Sequence, residues 1–410
     1  CGSGHMLTYA FDLLFRIYEE EGYVPNEIPA LILKHNLYGL EICPRAAQLA
    51  ELALVFKARE KSRRFFQPGT LVQPRILALQ DIRFDEGDLR DYIAAMDLGN
   101  LFNEPMLRLL HQFEDATTFG SLIQPCLDEQ NITFARQAIE AKDLGEQLFL
   151  RETHGKVLRV LEQAEMLCQW YHLVVANPPY MGSGAMNPML KQFAKANYPN
   201  SKADAFAMFI ERGFVFILSR GYSAMVTMQS WMFLSSFDEF RRELLSQRSI
   251  HSMVHMENMV MGIAFGTAAT VFHSTLFPRC QGTYIQVGMK HLGSDGSPTT
   301  FPPEPKRVFR STNDKFLKLP NCPVAYWASD RMTAIFAEAK LLRDIGDAKS
   351  GQNTGDNARF LRLWPEVNFL QIGFNTSALN DTDTDSPGWY PYNKGGQFRK
   401  WYGNNDYVVN

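Results

Sequence analysis

The run Val174-Val175-Ala176-Asn177-Pro178-Pro179-Tyr180 decides how the rest of the chain is read. Its apolar part, Leu173 to Ala176, has the composition of a buried parallel strand, and it stops at an amide, two prolines and an aromatic ring. Proline cannot donate to a sheet ladder, so the strand ends there. The tetrapeptide then stands at the carboxyl end of a strand, where open α/β sheets place their ligands. The Asn177 side-chain carbonyl and the Pro178 main-chain carbonyl can each accept a hydrogen bond from an exocyclic amino group, and Tyr180 offers a flat face to a planar base or amide. A plain strand-ending turn has the same composition, so the run takes its meaning from context.

Upstream, Cys1-Gly2-Ser3-Gly4-His5 leads into Met6, Leu7, Ala10, Phe11, Leu13, Leu14 and Ile17. That spacing predicts an amphipathic helix of about 14 residues. A glycine-rich turn entering a helix lets main-chain N–H groups approach a ligand closely. Gly-Ser-Gly-His-Met also has the form of an expression scar, but Cys1 and the unbroken helix after it favour a native motif. Asn36 to Ile42 predicts a second strand ending at Glu41, followed by Pro44 and a helix rich in Ala, Leu and Glu over Ala46 to Ala58. An acid after the next strand of a nucleotide-binding unit holds ribose hydroxyls, and Glu41 stands at that point in the order; a surface glutamate at a strand end is the alternative. Arg75 to Ile82 predicts a third strand. Asp81 near its end can accept from an adenine amino group, and Asp115 is a second candidate for that role; the sequence does not choose between them. Lys57, Arg59, Lys61, Arg63 and Arg64 form either a solvated face or a set of phosphate contacts.

Residues from about 85 to 169 are mostly helical and charged. Met181-Gly182-Ser183-Gly184 predicts a flexible loop beside Tyr180, and a helix begins at Asp204. Strands are expected at Gly221 to Thr227, Ile250 to Glu257 and Thr267 to Phe277, with a helix over Asp238 to Leu245. The alternation predicts an α/β fold with a mostly parallel sheet covered on both faces. From about 278 glycine and proline rise, which marks a linker or boundary. The remainder includes Ser350 to Asn357, an acidic loop from Asp381 to Asp385, and Phe398-Arg399-Lys400-Trp401-Tyr402, where basic and aromatic side chains interleave as in a surface for sugar-phosphate and bases, or in a packed β-rich domain.

The 410 residues allow about two or three domains, and 46% hydrophobic with 21% charged residues is the balance of an ordinary globular chain. A net charge of −3 leaves any nucleic-acid role to local basic patches. The six cysteines include no Cys-x-x-Cys pair, and the 9 histidines show no metal-ligand spacing. Reduced thiols, no metal and a cytoplasmic location are expected, since no run approaches the ~18 apolar residues of a membrane span.

The glycine turn, the acid after the next strand and Asn-Pro-Pro-Tyr after a later one together resemble the pattern of Rossmann-like S-adenosylmethionine-dependent methyltransferases, in the γ arrangement of DNA adenine-N6 enzymes. The runs CGSGHMLTYAFDLL, NLYGLEICPRAAQLAELAL, NPPYMGSGAM and PYNKGGQFRKWYGNNDYVVN are similar to those of the PglX methyltransferases of bacteriophage-exclusion (BREX) defence systems, along essentially the whole chain. The resemblance implies a catalytic domain over 1–277 with a helical insertion about 85–169. Residues 278–410 would be a linker and the start of a DNA target-recognition region, within a longer polypeptide. It implies that Gly2, Ser3, Gly4, Glu41, Ile42, Asn177 and either Asp81 or Asp115 hold S-adenosylmethionine. Asn177, Pro178, Pro179 and Tyr180 would be the catalytic set, with Tyr180 and Phe265 as walls for an extruded adenine. The implied partners are double-stranded DNA, other BREX proteins and phage inhibitor proteins, with no membrane. A fused restriction-modification enzyme, a methyltransferase of a protein amide or an RNA base, and a non-catalytic subunit of the defence complex are the rival readings.

Overall fold

Gly2 and Gly4 take φ of 59° and 85°, and the turn they make delivers the chain into α1 (His5–Glu20). Gly4 has no room for a side chain, because an added Cβ would lie 2.9 Å from the Ala50 Cα. Ala50 belongs to α3 (Pro44–Lys61), which opens with Pro at its first turn. With α2 (Ile28–His35) these helices enclose a core of Phe11, Phe15, Ile32, Leu33 and Leu54. Basic residues late in α3 are committed here: Lys57 pairs with Asp12 at 2.5 Å, and Lys61 lies over the Phe15 ring.

The computed structural model describes residues 1–69, 71–97, 99–142, 148–294, 296–340, 344–346, 353–374 and 388–410. They fall into two units, Cys1–Ala339 and Lys340–Asn410. In the first unit β1 (Tyr38–Glu41) pairs in parallel with β2 (Arg75–Ala78). A helical stretch follows: α4 (Glu86–Met96), α5 (Glu104–His111), α6 (Ala116–Phe119), α7 (Glu129–Glu140) and α8 (Leu148–Cys168). Then come β3 (Tyr171–Ala176), α9 (Pro188–Asn197), α10 (Ala205–Phe216), β4 (Ile217–Met228), α11 (Asp238–Gln247), β5 (Ser249–Met256), β6 (Thr267–His273), β7 (Gly282–Val287), β8 (Val308–Ser311), α12 (Asn313–Leu317) and α13 (Asp330–Glu338). Helix starts are legible as short acceptors: Asp85, Asn103, Asp128, Asn187 and Asp204 each accept from a main-chain N–H in the first turn of the helix they open.

The larger sheet has the order β3-β4-β6-β5-β7-β8. It is mixed, which corrects the expectation of a mostly parallel sheet. Pairs β3–β4 and β5–β7 are parallel, whereas β4–β6, β5–β6 and β7–β8 are antiparallel. The physical reason lies in the connections: β5 reaches β6 through the short segment 257–266, too short for the crossover that a parallel pair needs. The change of texture at 278 does not divide the fold either. β7 and β8 extend the same sheet, so the Gly- and Pro-rich residues between them form a loop inside the first unit. The burial of β3 also differs from expectation. Leu173 and Val175, two residues apart and so on one face of β3, are 56% and 49% exposed, and that face is uncovered among the described residues.

Two buried arginines bind separate parts of this unit. Arg212 on α10 donates to the carbonyls of Ser121, Ile123 and Leu167 at 2.8 to 2.9 Å and lies 3.8 Å over the Phe216 ring. Burial pulls its pKa down to about 10, so it remains a cation at neutral pH. Arg241 on α11 donates to the carbonyls of Trp231, Leu234 and Asn321. In the second unit α14 (Asn357–Phe360), β9 (Leu361–Leu363), β10 (Tyr390–Tyr392) and β11 (Tyr407–Val409) build an antiparallel sheet of order β10-β11-β9. Residues 350–352 of the Ser350 to Asn357 stretch, and all of Asp381 to Asp385, lie outside the described residues.

Arg212→Ala leaves three carbonyls without their donor inside the helical stretch. It is expected to destabilise the chain by about 3 kcal/mol or more, read as a lower urea midpoint with an unchanged slope.

Candidate active site

β3 ends as the prolines dictate, and the side chains beyond it are fixed from several directions. The Tyr180 ring stands between two others, Phe206 at 6.3 Å and 84° and Phe265 at 5.6 Å and 77°. Its hydroxyl lies 3.1 Å from Asn177 Oδ1 and 3.2 Å from the Val226 carbonyl on β4. Burial raises the phenol's pKa, so it stays protonated and able to donate. One lone pair of Asn177 Oδ1 therefore faces Tyr180 and the other is free for a ligand donor. Asn177 is exposed and Pro178 buried, and no described residue donates to the Pro178 carbonyl. Phe265 and Tyr180 meet edge to face and form an aromatic corner beside those two acceptors.

The loop after Tyr180 is fastened by its first residues, unlike the flexible loop expected. Met181 N–H donates to Asp204 Oδ1 at 2.9 Å, Ala205 N–H to the Met181 carbonyl at 3.0 Å, and Ser183 N–H to the Ala203 carbonyl at 2.9 Å. Asp204 thus serves the loop and the first turn of α10 together. Burial raises its pKa, while the N–H groups of Phe206, Met181 and Ala205 oppose that rise. The helix-start reading had singled out Asp204; nothing in a single sequence pairs it with Met181.

At the carboxyl end of β1, Glu41 meets the glycine turn directly. Its Oε2 accepts from the Gly2 N–H at 2.6 Å and from the Cys1 main-chain nitrogen at 3.1 Å, and its Oε1 accepts from Ile42 and Cys43. Burial raises this carboxyl's pKa, while the N–H groups of Cys43 and Gly2 oppose that rise. Ser3 bonds locally to His5 through its hydroxyl at 3.1 Å. Asp81 lies past the end of β2, in a loop. It accepts from Thr117 N–H at 2.7 Å and from the Thr117 hydroxyl at 2.8 Å. Asp115 pairs with Arg83 at 2.7 Å. The Ile82 N–H bonds to the Phe113 carbonyl, so both carboxylates stand on one pair of joined loops. An added Cβ on Gly120 would come within 3.1 Å of the Ile42 side chain, which brings that loop pair against the end of β1.

The two halves of the site share a floor. Phe119 stacks on Phe193 of α9 at 4.3 Å and 16°. Phe119 and Met181 both pack on the cluster of Leu122, Met186, Leu190 and Tyr198. Tyr38 and Tyr171, which begin β1 and β3, touch at 5.3 Å, and Leu40 and Val174 reach one core. The structure therefore brings Gly2, Glu41, Ile42, Asp81 and Asp115 into one region, and Asn177, Pro178, Tyr180 and Phe265 into an adjoining one. Arg83, Thr117, Asp204 and Phe206 are the partners that the sequence reading missed. Their contacts cross between elements far apart in the chain.

Glu41→Gln is expected to lower stability at neutral pH, because an amide cannot accept from all four donors. In acid the wild-type carboxyl takes up a proton and loses the same acceptors, so urea midpoints at pH 7 and in acid check this, the gap from wild type narrowing in acid.

A family model described as Eco57I restriction-modification methylase matches residues 35–260, more than half of the chain. The adenine-specific methyltransferase BrxX of Escherichia coli O9:H4 (strain HS) is 34% identical over 436 aligned residues, covering 100% of this chain and 35% of that protein. The adenine-specific methyltransferase PglX of Lacticaseibacillus casei (strain Zhang) is 35% identical over 422, covering 100% of this chain and 34% of that protein. The chain thus spans about a third of the length of the curated relatives it matches. A solved structure of the ATP-dependent Type ISP restriction-modification enzyme LlaBIII bound to DNA is a looser match, with a TM-score of 0.41 and 11% identity over 70% of this chain and 17% of that one. On the family match, the chain belongs to the Eco57I restriction-modification methylases.

Proposed function

We propose that this chain is the catalytic part of a site-specific DNA adenine-N6 methyltransferase of a phage-defence system of the BREX kind, with S-adenosylmethionine as methyl donor. The observation that carries the reading is the pair of acceptors at the end of β3, Asn177 Oδ1 and the Pro178 carbonyl, beside the aromatic corner of Tyr180 and Phe265. The relatives named BrxX and PglX match along the whole chain, which favours a defence methyltransferase over a fused restriction enzyme.

Adenine N6 is a poor nucleophile because its lone pair is conjugated with the ring. Asn177 Oδ1 and the Pro178 carbonyl accept its two protons and draw the nitrogen towards a tetrahedral, more nucleophilic shape. Tyr180 stacks on the extruded base and offsets part of the few kcal/mol that extrusion costs, and Phe265 closes the side. Holding nitrogen and donor carbon in line removes part of the entropic barrier.

The turn at Gly2, Ser3 and Gly4 fits the cofactor: an added Cβ on Gly2 would meet nothing within 4 Å, which leaves open space beside Glu41. Those residues, with Ile42, Asn177 and either Asp81 or Asp115, would hold it, and it would supply a methyl group on a sulfonium. The start of target recognition is proposed for the second unit, residues 340–410, since β7 and β8 belong to the sheet of the first. In the second unit Phe398, Trp401 and Tyr402 are more than 85% exposed, and Lys394 and Lys400 lie over the rings of Tyr407 and Trp401. Such a surface suits bases and sugar-phosphate. Other BREX proteins and phage inhibitors are proposed further partners.

In the full-length protein Asn177→Ala is expected to lower adenine methylation at least about 100-fold, a larger loss than the fall in cofactor affinity read by calorimetry. Single-molecule sequencing of genomic DNA reads the loss, and unchanged methylation would defeat the assignment.

A further inference from the structure

β4 stops at Gln229 as β3 stops at Asn177. The two strands are parallel neighbours with Ala176 opposite Met225, so Gln229 stands about 10 Å of extended chain beyond the Asn177 level. Its main-chain N–H donates to the Gly266 carbonyl at 3.0 Å. Its carboxamide fills the space over Gly266, where an added Cβ would lie 2.3 to 2.5 Å from the side-chain atoms. Gly266 follows Phe265, the ring that closes on Tyr180. Gln229 thus borders the aromatic corner from the side of β4 and β6.

Two buried groups set which way the carboxamide faces. Gln229 Oε1 is 2.6 Å from His255 Nε2, and His255 Nδ1 is 2.8 Å from the Tyr326 hydroxyl. Burial lowers the imidazole's pKa and keeps it neutral. A neutral ring that donates from Nε2 accepts at Nδ1, so Tyr326 donates to His255 and His255 donates to Gln229. Tyr326 is itself held by stacking on Tyr284 at 5.0 Å and 9°. With its oxygen engaged, Gln229 has an NH₂ group with no partner among the described residues, and the residue lines a cavity of about 640 Å³ with Glu257, Asn258, Lys290 and Arg307.

We propose that Gln229 is a specificity-determining residue of the base site, its NH₂ group donating to a ring nitrogen of the extruded adenine. The assignment rests on the methyltransferase reading above and extends it. Asn177 and Pro178 offer acceptors to the amine, but the ring nitrogens of adenine only accept, so their recognition needs a donor. At N1 such a contact would also reject guanine, whose N1 carries a hydrogen and would set donor against donor; at N3 or N7 it would read only the presence of the acceptor. His255 and Tyr326 are positioning residues, since they act only through Gln229.

The test uses the full-length protein and duplexes with one target adenine or its 1-deaza, 3-deaza or 7-deaza analogue. Gln229→Glu turns the donor into an acceptor of the same outline. It is expected to lower kcat/KM on adenine roughly 10- to 100-fold, with cofactor affinity by calorimetry unchanged. On one of the three analogues the wild type loses a comparable factor, and there Gln229→Glu loses little more, because the contact is already gone. Tyr326→Phe gives a smaller loss that disappears on the same analogue. No loss on adenine, or an equal further loss on all three analogues, overturns the role of Gln229 and leaves the methyltransferase reading standing. Absence of methylation by the wild type overturns both.

Discussion

A main-chain group left without a partner inside a protein costs about as much as a lost hydrogen bond, and this fold meets that constraint wherever its ladders break off. Strands here end in prolines, glycines and tight loops, so the loose N–H and C=O groups gather at their carboxyl ends. Side chains answer them. Tyr180 reaches the Val226 carbonyl, Asp204 takes the Met181 N–H, Glu41 takes four N–H groups, and Asp81 takes that of Thr117. Farther out, Arg212 and Arg241 do the same for carbonyls of loops that no strand reaches. The candidate site is largely made of the residues that perform this service.

The groups left over then acquire meaning. Among the described residues the Pro178 carbonyl, the second lone pair of Asn177 Oδ1 and the Asn177 Nδ2 group have no partner. The first two are acceptors, and both lie beside a flat aromatic wall. That selection of a ligand with paired N–H donors on a planar ring comes from local satisfaction, without any contribution from the chain's overall charge of −3.

The sequence disclosed the features that depend on neighbours along the chain. Pro178 and Pro179 end β3 by their own chemistry, Pro44 begins α3, and Asp204 begins α10, so each could be read in one dimension. The helical stretch between β2 and β3 was visible for the same reason. Strand order was not, because the reversal between β5 and β6 depends on a short connection and on pairing with β4. Nor was the exposure of Leu173 and Val175, which follows from the neighbours of β3 rather than from its composition. The joining of Asp81 to Thr117, and the chain from Tyr326 through His255 to Gln229, draw on segments tens of residues apart. No local pattern could announce them.

The glycine at position 4 carries a consequence for heredity. Its backbone is left-handed, and the space where a side chain would begin is already taken by the backbone of Ala50. Every amino-acid replacement that one nucleotide change can make in a glycine codon introduces a Cβ. None of them is sterically silent at this place, so drift has no small step to take here, and the codon's third base is where variation can accumulate unopposed.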